Sequence, residues 1–175
     1  SYRKLANHLY KGKTDPKKLY ADWDLYKKEP TLSDSLSVAI KNKKIATSFK
    51  NLKPQDYMYK KIKQSLVLLN LFPEDRFDKI SIEKKIELND TVSQIIAIKR
   101  RLKYWKDYYR RDSIITPVYD QYTFEAIKNF QKRHGLKPDG VIGNGTINAL
   151  NYSKEDRQKQ IIANLERWKW FPNEF

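Results

Sequence analysis

The chain has no cysteine at all. Disulfides, thiolate metal sites and a cysteine nucleophile are therefore excluded within it, since each needs a sulfur that is absent. Histidine is nearly as scarce: His8 and His134 stand far apart, with no carboxylate companion at ligand spacing. No metal, cofactor or catalytic residue is assigned, and His134 reads as a structural residue favoured by the negative end of a helix. Carboxylate pairs such as Asp22 with Asp24, or Asp75 with Asp78, match a glycosidase pair only in residue type. Without an apolar pocket to raise one pKa they read as solvated surface. No apolar run approaches the roughly 20 residues of a membrane-spanning helix. The chain also lacks an initiating Met and a secretory leader, and we expect a targeting segment and a C-terminal continuation to lie outside it.

What is present is charge and aromatics. A length of 175 residues suits one or two domains with a real core. The net charge of +15 favours an anionic partner: nucleic acid, an anionic lipid surface or an acidic cell-wall polymer. The basic residues are scattered, and the joint excess of Lys, Ile, Asn and Tyr fits a compositional bias of the coding DNA equally well.

Residues 1 to about 72 read as helical and carry marks of packing rather than chemistry. Tyr2, Leu5 and Leu9 line one face of a first helix that breaks at Gly12, and Thr14-Asp15-Pro16 starts another, because Pro16 has no amide hydrogen to lose in a first turn. Thr31 with Asp34 approximates a capping box before Leu36, Val38, Ala39 and Ile40. After Pro54, the spacing of Met58, Ile62, Leu66 and Leu69 predicts an apolar helical stripe that Pro73 interrupts. Residues 78–89 read as a charged connection, with room for a short strand around Ile80 to Ile86, and the domain boundary is placed near residue 88. From Thr91 a helix turns Val92, Ile95, Ile96, Leu102 and Trp105 inward, leaving Lys99, Arg100, Arg101 and Lys103 on its outer face. The mixture of Tyr104, Trp105, Tyr108 and Tyr109 with Lys103, Lys106, Arg110 and Arg111 suits two purposes. It could stack sugar rings or bases, or Trp105 could be core with basic stems over its edges.

The stretch Tyr119 to Asn151 is punctuated most clearly. Asp120 suits an N-cap, Ala126, Ile127 and Phe130 make one apolar face, and Gly135 stops the helix by taking a left-handed conformation. Pro138-Asp139-Gly140 is a turn, Val141 and Ile142 are β-branched, and Gly143-Asn144-Gly145 leads into a second short helix. These landmarks resemble the peptidoglycan-binding module of bacterial cell-wall enzymes, whose pattern is matched by Ala126-Ile127-Lys128-Asn129-Phe130-Gln131, Gly135-Leu136, Asp139-Gly140-Val141-Ile142-Gly143 and Thr146-Ile147-Asn148-Ala149-Leu150. The expected fold is all-α: a helical scaffold region over 1–87, a small three-helix peptidoglycan-binding-like module over 88–152, and a helix over 153–175 that returns to the scaffold or leads into a further domain. If the module binds peptidoglycan, a groove between the helices from Asp120 and from Thr146 would hold glycan strands or stem peptides. The Asp139 to Gly145 loop would then offer free amides, and the candidate contact residues are Tyr119, Tyr122, Gln131, Asn144 and Thr146. Asp139 and Thr146 also suit plain turn and cap roles.

A second resemblance comes after it. Ser153 with Asp156 approximates a capping box, and Ile161, Ile162, Leu165 and Trp168 share one side of the following helix, which Pro172 ends. The string Asn164-Leu165-Glu166-Arg167-Trp168-Lys169-Trp170-Phe171-Pro172 resembles the large L,D-transpeptidases of Gram-negative bacteria, as do Tyr10-Lys11-Gly12-Lys13 and Leu52-Lys53-Pro54. Lys169 replaces the usual Arg, keeping the charge but not the planar fork. The resemblance implies a transferase of the periplasm or cell envelope that cross-links stem peptides through a cysteine thioester. That chemistry would reside in a C-terminal catalytic domain beyond Phe175. Of Trp168 and Trp170, which cannot face the same way on a helix, one would pack on the scaffold and the other on that domain. Two alternatives remain open: the binding part of a cell-wall hydrolase such as an amidase or lytic enzyme, and a basic nucleic-acid binder. The last is supported only by charge and basic-aromatic mixing, without a recognition motif.

Overall fold

A computed structural model of the chain describes residues 2–25, 32–109 and 114–171, without the side chains of residues 32–36 and 51. Thr31, Arg110, Arg111, Ser113 and Pro172, with the side chains of Asp34 and Leu36, carry parts of the sequence reading and fall outside what is described. The helices are α1 (Tyr2–Tyr10), α2 (Pro16–Leu19), α3 (Leu32–Lys41), α4 (Ile45–Ser48), α5 (Tyr57–Asn70), α6 (Gln94–Tyr104), α7 (Gln121–Arg133), α8 (Asn144–Leu150) and α9 (Lys154–Trp168). Among the described residues the only extended pairing is two isolated bridges, so the fold is helical. The chain divides into two compact units, Glu74–Ser153 and the remainder, Ser1–Pro73 with Lys154–Phe175.

In the unit that holds both chain ends, α5 and α9 run antiparallel. Asp56 caps α5 by accepting from the Tyr59 amide at 2.8 Å, and its other oxygen accepts from Trp168 Nε1 at 2.6 Å, at the end of α9. At the opposite end of α5, the Lys154 ammonium donates to the Phe72 carbonyl at 2.7 Å and Gln158 donates to Asn70 at 2.8 Å. One carboxylate thus satisfies a helix N-terminus and an indole together. Replacing Asp56 by alanine should cost about 1–3 kcal/mol, the sum of a lost cap and a lost charge-assisted bond. A urea midpoint unchanged from wild type would contradict that.

The inward faces differ in detail from the spacing argument. The buried row of α5 runs through Tyr59 and Leu69, with Ile62 and Leu66 half-buried, whereas Met58 is exposed. In α1 it is Ala6 that is fully buried while Leu5 is half-exposed, and in α3 Ala39 is buried while Val38 and Ile40 face water. Small residues mark the close approaches, and a hydrophobic-spacing argument weights them least. In α9, Ile162 is exposed. Trp168 and Trp170 both pack within this unit, Trp168 on Asp56 and Trp170 edge-on to Trp23 at 5.6 Å.

The second unit is built on α6, α7 and α8. Its core joins Ile95, Ile98 and Leu102 of α6, Ile127 and Phe130 of α7, and Ile147 and Leu150 of α8, with Tyr119 and Ile142 from the connections. Each such buried aliphatic or aromatic side chain contributes roughly 1.5–3 kcal/mol. Residues 78–87 do not merely connect. Ile80 and Ile86 belong to this core, and Ile86 exchanges backbone hydrogen bonds with Ile142 at 3.1 and 3.0 Å. Asn151 clamps the Ile80 peptide from both sides, accepting from its amide at 2.9 Å and donating to its carbonyl at 2.8 Å. The compact unit accordingly begins at Glu74, ahead of the boundary that the sequence places near residue 88. The turn Leu88-Asn89-Asp90 enters α6 with Asn89 in the left-handed region at φ 74°, and the Asp90 side chain accepts from the Glu87 amide at 2.8 Å.

Of the basic face assigned to α6, Arg100 and Lys103 are exposed, but the other two residues turn inward. Lys99 and Arg101 are 1% and 3% exposed. Arg101 donates to the carbonyl of Leu150 at 2.9 Å, at the end of α8, and to that of Asp78 at 2.8 Å, while its guanidinium lies over the Phe77 ring. Lys99 is held by four acceptors around the start of α7. Of the nearby aromatics, Tyr108 is core, Trp105 is half-buried and Tyr109 is exposed.

Candidate functional site

Asp120 starts α7 as the sequence suggests, accepting from the Thr123 amide and hydroxyl, both at 2.8 Å. Burial pushes the Asp120 carboxyl up, but the Lys99 hydrogen bond, the two from Thr123 and the Lys99 charge together hold it below its ordinary value. At the other end, His134 closes the helix against Phe130 and Gly135 follows at φ 69°. Next comes the glycine-punctuated loop 139–145.

This loop is organised around Gly140, whose φ is 76°. Its amide donates to Gln131 Oε1 at 2.9 Å and its carbonyl accepts from the Tyr119 hydroxyl. The Gln131 amide nitrogen donates to the Val141 carbonyl at 3.0 Å, and also reaches Thr146 Oγ1 at 3.2 Å and Asp139 Oδ1 at 3.3 Å. Gln131 is 2% exposed, Tyr119 fully buried and Thr146 nearly so. Burial first, then the nearby Asp139 and Glu125 charges, raise the Tyr119 hydroxyl far above the usual tyrosine range, so it remains a neutral donor.

Three of the five candidate contact residues therefore meet inside the module. Tyr119, Gln131 and Thr146 hold the loop from beneath, with no surface to offer a ligand as the loop stands. The free amides expected of the loop are also largely used. Asp139 donates to the Lys137 carbonyl, Gly140 to Gln131, Val141 to Asp139 Oδ1, Ile142 to the Ile86 carbonyl and Gly143 to the Val141 carbonyl. Hydrogen bonds from the Val141 amide and Gln131 keep the Asp139 carboxyl low, so it is a turn residue that stays ionised. The remaining two candidates face water. Tyr122 is 45% exposed, with its ring braced edge-on by Tyr108 at 5.3 Å. Asn144 is exposed at the first position of α8, where the N-cap is Gly143 and no side chain caps the turn. Elsewhere on α7, Lys128 lies over the half-buried Phe124 ring at 5.4 Å.

The residue that sequence reasoning missed is Lys99, which ties α6 to the start of α7. The one available signal was its spacing of four from Ile95, which puts it on the buried side of that helix. Among the described residues no group of His, Asp and Glu could hold a metal ion, and no helix is long and apolar enough to cross a membrane.

Comparison with protein families locates these features. Residues 91–150 match the family described as "Putative peptidoglycan binding domain", which spans α6 to α8 and the whole glycine-punctuated loop. Residues 1–66 match the family described as "Scaffold domain". No curated protein matches the chain.

Proposed function

We propose that this chain is the wall-binding and scaffold portion of an L,D-transpeptidase acting in the periplasm or cell envelope, with the acyl-transfer chemistry supplied by a catalytic domain of the same parent chain. The observation that carries the reading is the coincidence of the peptidoglycan-binding match with one compact, glycine-punctuated helical unit. The scaffold match over the N-terminal helices supports the L,D-transpeptidase assignment.

Within the module, Tyr122 and Asn144 are the contacting residues. The Tyr122 ring offers a flat apolar face to the C–H face of a sugar, and Tyr108 fixes its orientation before the ligand arrives. The Asn144 amide can donate and accept at once, which suits the acetamide of an amino sugar or a peptide bond. Tyr119, Gln131 and Thr146 act indirectly, by keeping the loop that presents Asn144 in one conformation. The surrounding excess of Lys and Arg draws in the carboxylates of stem peptides, so binding should weaken as salt rises.

Cosedimentation with purified peptidoglycan sacculi tests this. The chain should pellet at low salt and be partly released at high salt. Tyr122→Ala should weaken retention roughly fivefold, the equivalent of about 1 kcal/mol from one lost aromatic contact. Absence of retention at low salt would remove the binding function, and full retention by the Tyr122→Ala, Asn144→Ala double variant would move it to another face.

A further inference from the structure

Helix α5 is packed on one side and bare on the other. Tyr59, Ile62, Leu66 and Leu69 turn inward, and α9 runs along that side. The opposite face recurs at spacings of three and four, through Tyr57, Lys60, Lys61 and Gln64 and on to Val67, Leu68 and Leu71. All of these are exposed. Single exposed aliphatic residues are ordinary on a protein surface, but three that adjoin on one face form a patch. Val67, Leu68 and Leu71 meet that description, at 58%, 60% and 77% exposure within one turn.

The same helix carries charge of one sign. Over Tyr57–Asn70 it has Lys60, Lys61 and Lys63 and no carboxylate. Asp56, just ahead of it, is occupied by the Tyr59 amide and the Trp168 indole. The lysines stand in the first two turns and the aliphatic residues in the last, about 10 Å further along at 1.5 Å per residue. The Lys61 ammonium lies over the Tyr57 ring at 5.2 Å, which adds an aromatic with an apolar body and a polar tip to the charged end.

Charge and apolarity on one face select the occupant. A second copy of this chain would set the lysines against lysines or against the aliphatic end, and neither neutralises them. An anionic polymer would answer the lysines but has no apolar interior for Val67, Leu68 and Leu71. An anionic lipid surface offers phosphates at one depth and hydrocarbon just below it. We propose that the outward face of α5 docks on such a surface, with the lysines among the headgroups and the three aliphatic side chains in the acyl boundary. The docking is peripheral, because a helix of 14 residues is too short to span a bilayer. Tyr122 and Asn144 belong to the other unit, so wall binding and lipid binding can fail separately.

The whole chain is tested with vesicles of phosphatidylcholine containing phosphatidylglycerol, at low salt. The absence of native cysteine lets Leu68→Cys and Lys132→Cys, both at exposed positions, each carry one environment-sensitive fluorophore. The label at 68 should shift to the blue and be quenched by lipid brominated in its acyl chains, while the label at 132 keeps its aqueous emission. Vesicles of phosphatidylcholine alone should bind at least roughly tenfold more weakly. A net charge of +15 draws the chain to any anionic surface, so variants must separate this face from that background. Lys60→Gln, Lys61→Gln should weaken binding roughly tenfold or more, and Val67→Ser, Leu71→Ser by a similar factor. Lys103→Gln, Lys132→Gln removes the same charge from exposed positions of the other unit and should cost no more than about twofold. Each of these variants alters exposed side chains only and should keep the wild-type melting temperature. An unshifted label at 68, equal binding to uncharged vesicles, equal losses from the two lysine pairs, or unchanged affinity in the aliphatic pair would each overturn the proposal. So would a blue shift at 68 that grows with protein concentration without vesicles, which would make the face a contact between copies.

Discussion

Alanine at position 140 should destabilise the glycine-punctuated unit by about 2–5 kcal/mol, a large fraction of the roughly 5–15 kcal/mol that keeps a domain folded. Two penalties combine. The backbone at Gly140 sits at φ 76°, where an L side chain costs roughly 1–2 kcal/mol. A Cβ built there would also lie 2.2 Å from the Phe124 ring, so the ring would have to leave a site it shares with Tyr119 and Lys128. Position 135 separates the two terms, because Gly135 has a φ of 69° and a methyl added there would meet nothing within 4 Å. Gly135→Ala should therefore show the backbone penalty alone, about 1–2 kcal/mol. Urea unfolding of the whole chain, read by hydrogen exchange at the Ile127 and Phe130 amides, measures both. In a Phe124→Ala background the excess at position 140 should shrink to the level seen at 135. Equal losses at the two glycines in the wild-type background would show that the ring contact carries nothing.

That contrast also bears on what the sequence discloses. Every landmark of the loop is legible in order, because turns and helix ends are local: Asp120 caps α7, Gly135 ends it and Gly140 takes the left-handed turn. The use to which neighbouring polar side chains are put is not local. Tyr119, Gln131 and Thr146 look like ligand contacts in a linear reading, since they are polar and flank the loop. In the fold they lie beneath it: Tyr119 and Gln131 bond its backbone, and Gln131 also donates to Thr146. The same limit applies to residues 78–87, whose charges suggest a connection. Ile80 and Ile86 instead complete a core assembled from three helices that are distant in sequence. In the other unit the buried positions include Ala6, which hydrophobic spacing passes over, and Ala39, which it names beside Val38 and Ile40 without singling it out.

Lys99→Met should destabilise the same unit by about 2–4 kcal/mol, the scale for removing one partner of a buried pair, reduced because Asp120 keeps some contact with water. The Lys99 ammonium donates to Val118 O at 2.8 Å, Asp120 Oδ2 at 2.9 Å, Thr116 O at 3.2 Å and Thr116 Oγ1 at 3.3 Å. Three N–H bonds serve four acceptors, so the group is fully used, and methionine returns the volume but none of the donors. The carbonyls of Thr116 and Val118 lose their ammonium donor as well, which adds to the loss of the ion pair. The Asp120 part can be isolated by pH. Its native pKa lies below the ordinary 3.8, so its contribution is complete above that value and is lost as pH falls through the lowered one. In Lys99→Met the largest side-chain partner that depresses this pKa is gone, and the loss of stability on acidification should flatten in that window. Asp120→Asn keeps an N-cap while removing the charge, so it should cost less than Lys99→Met and flatten the acid limb more, because the Thr123 bonds that also lower this pKa remain in Lys99→Met. If the two variants were equally destabilised at neutral pH, the ion pair rather than the carbonyl pocket would be what Lys99 is buried for.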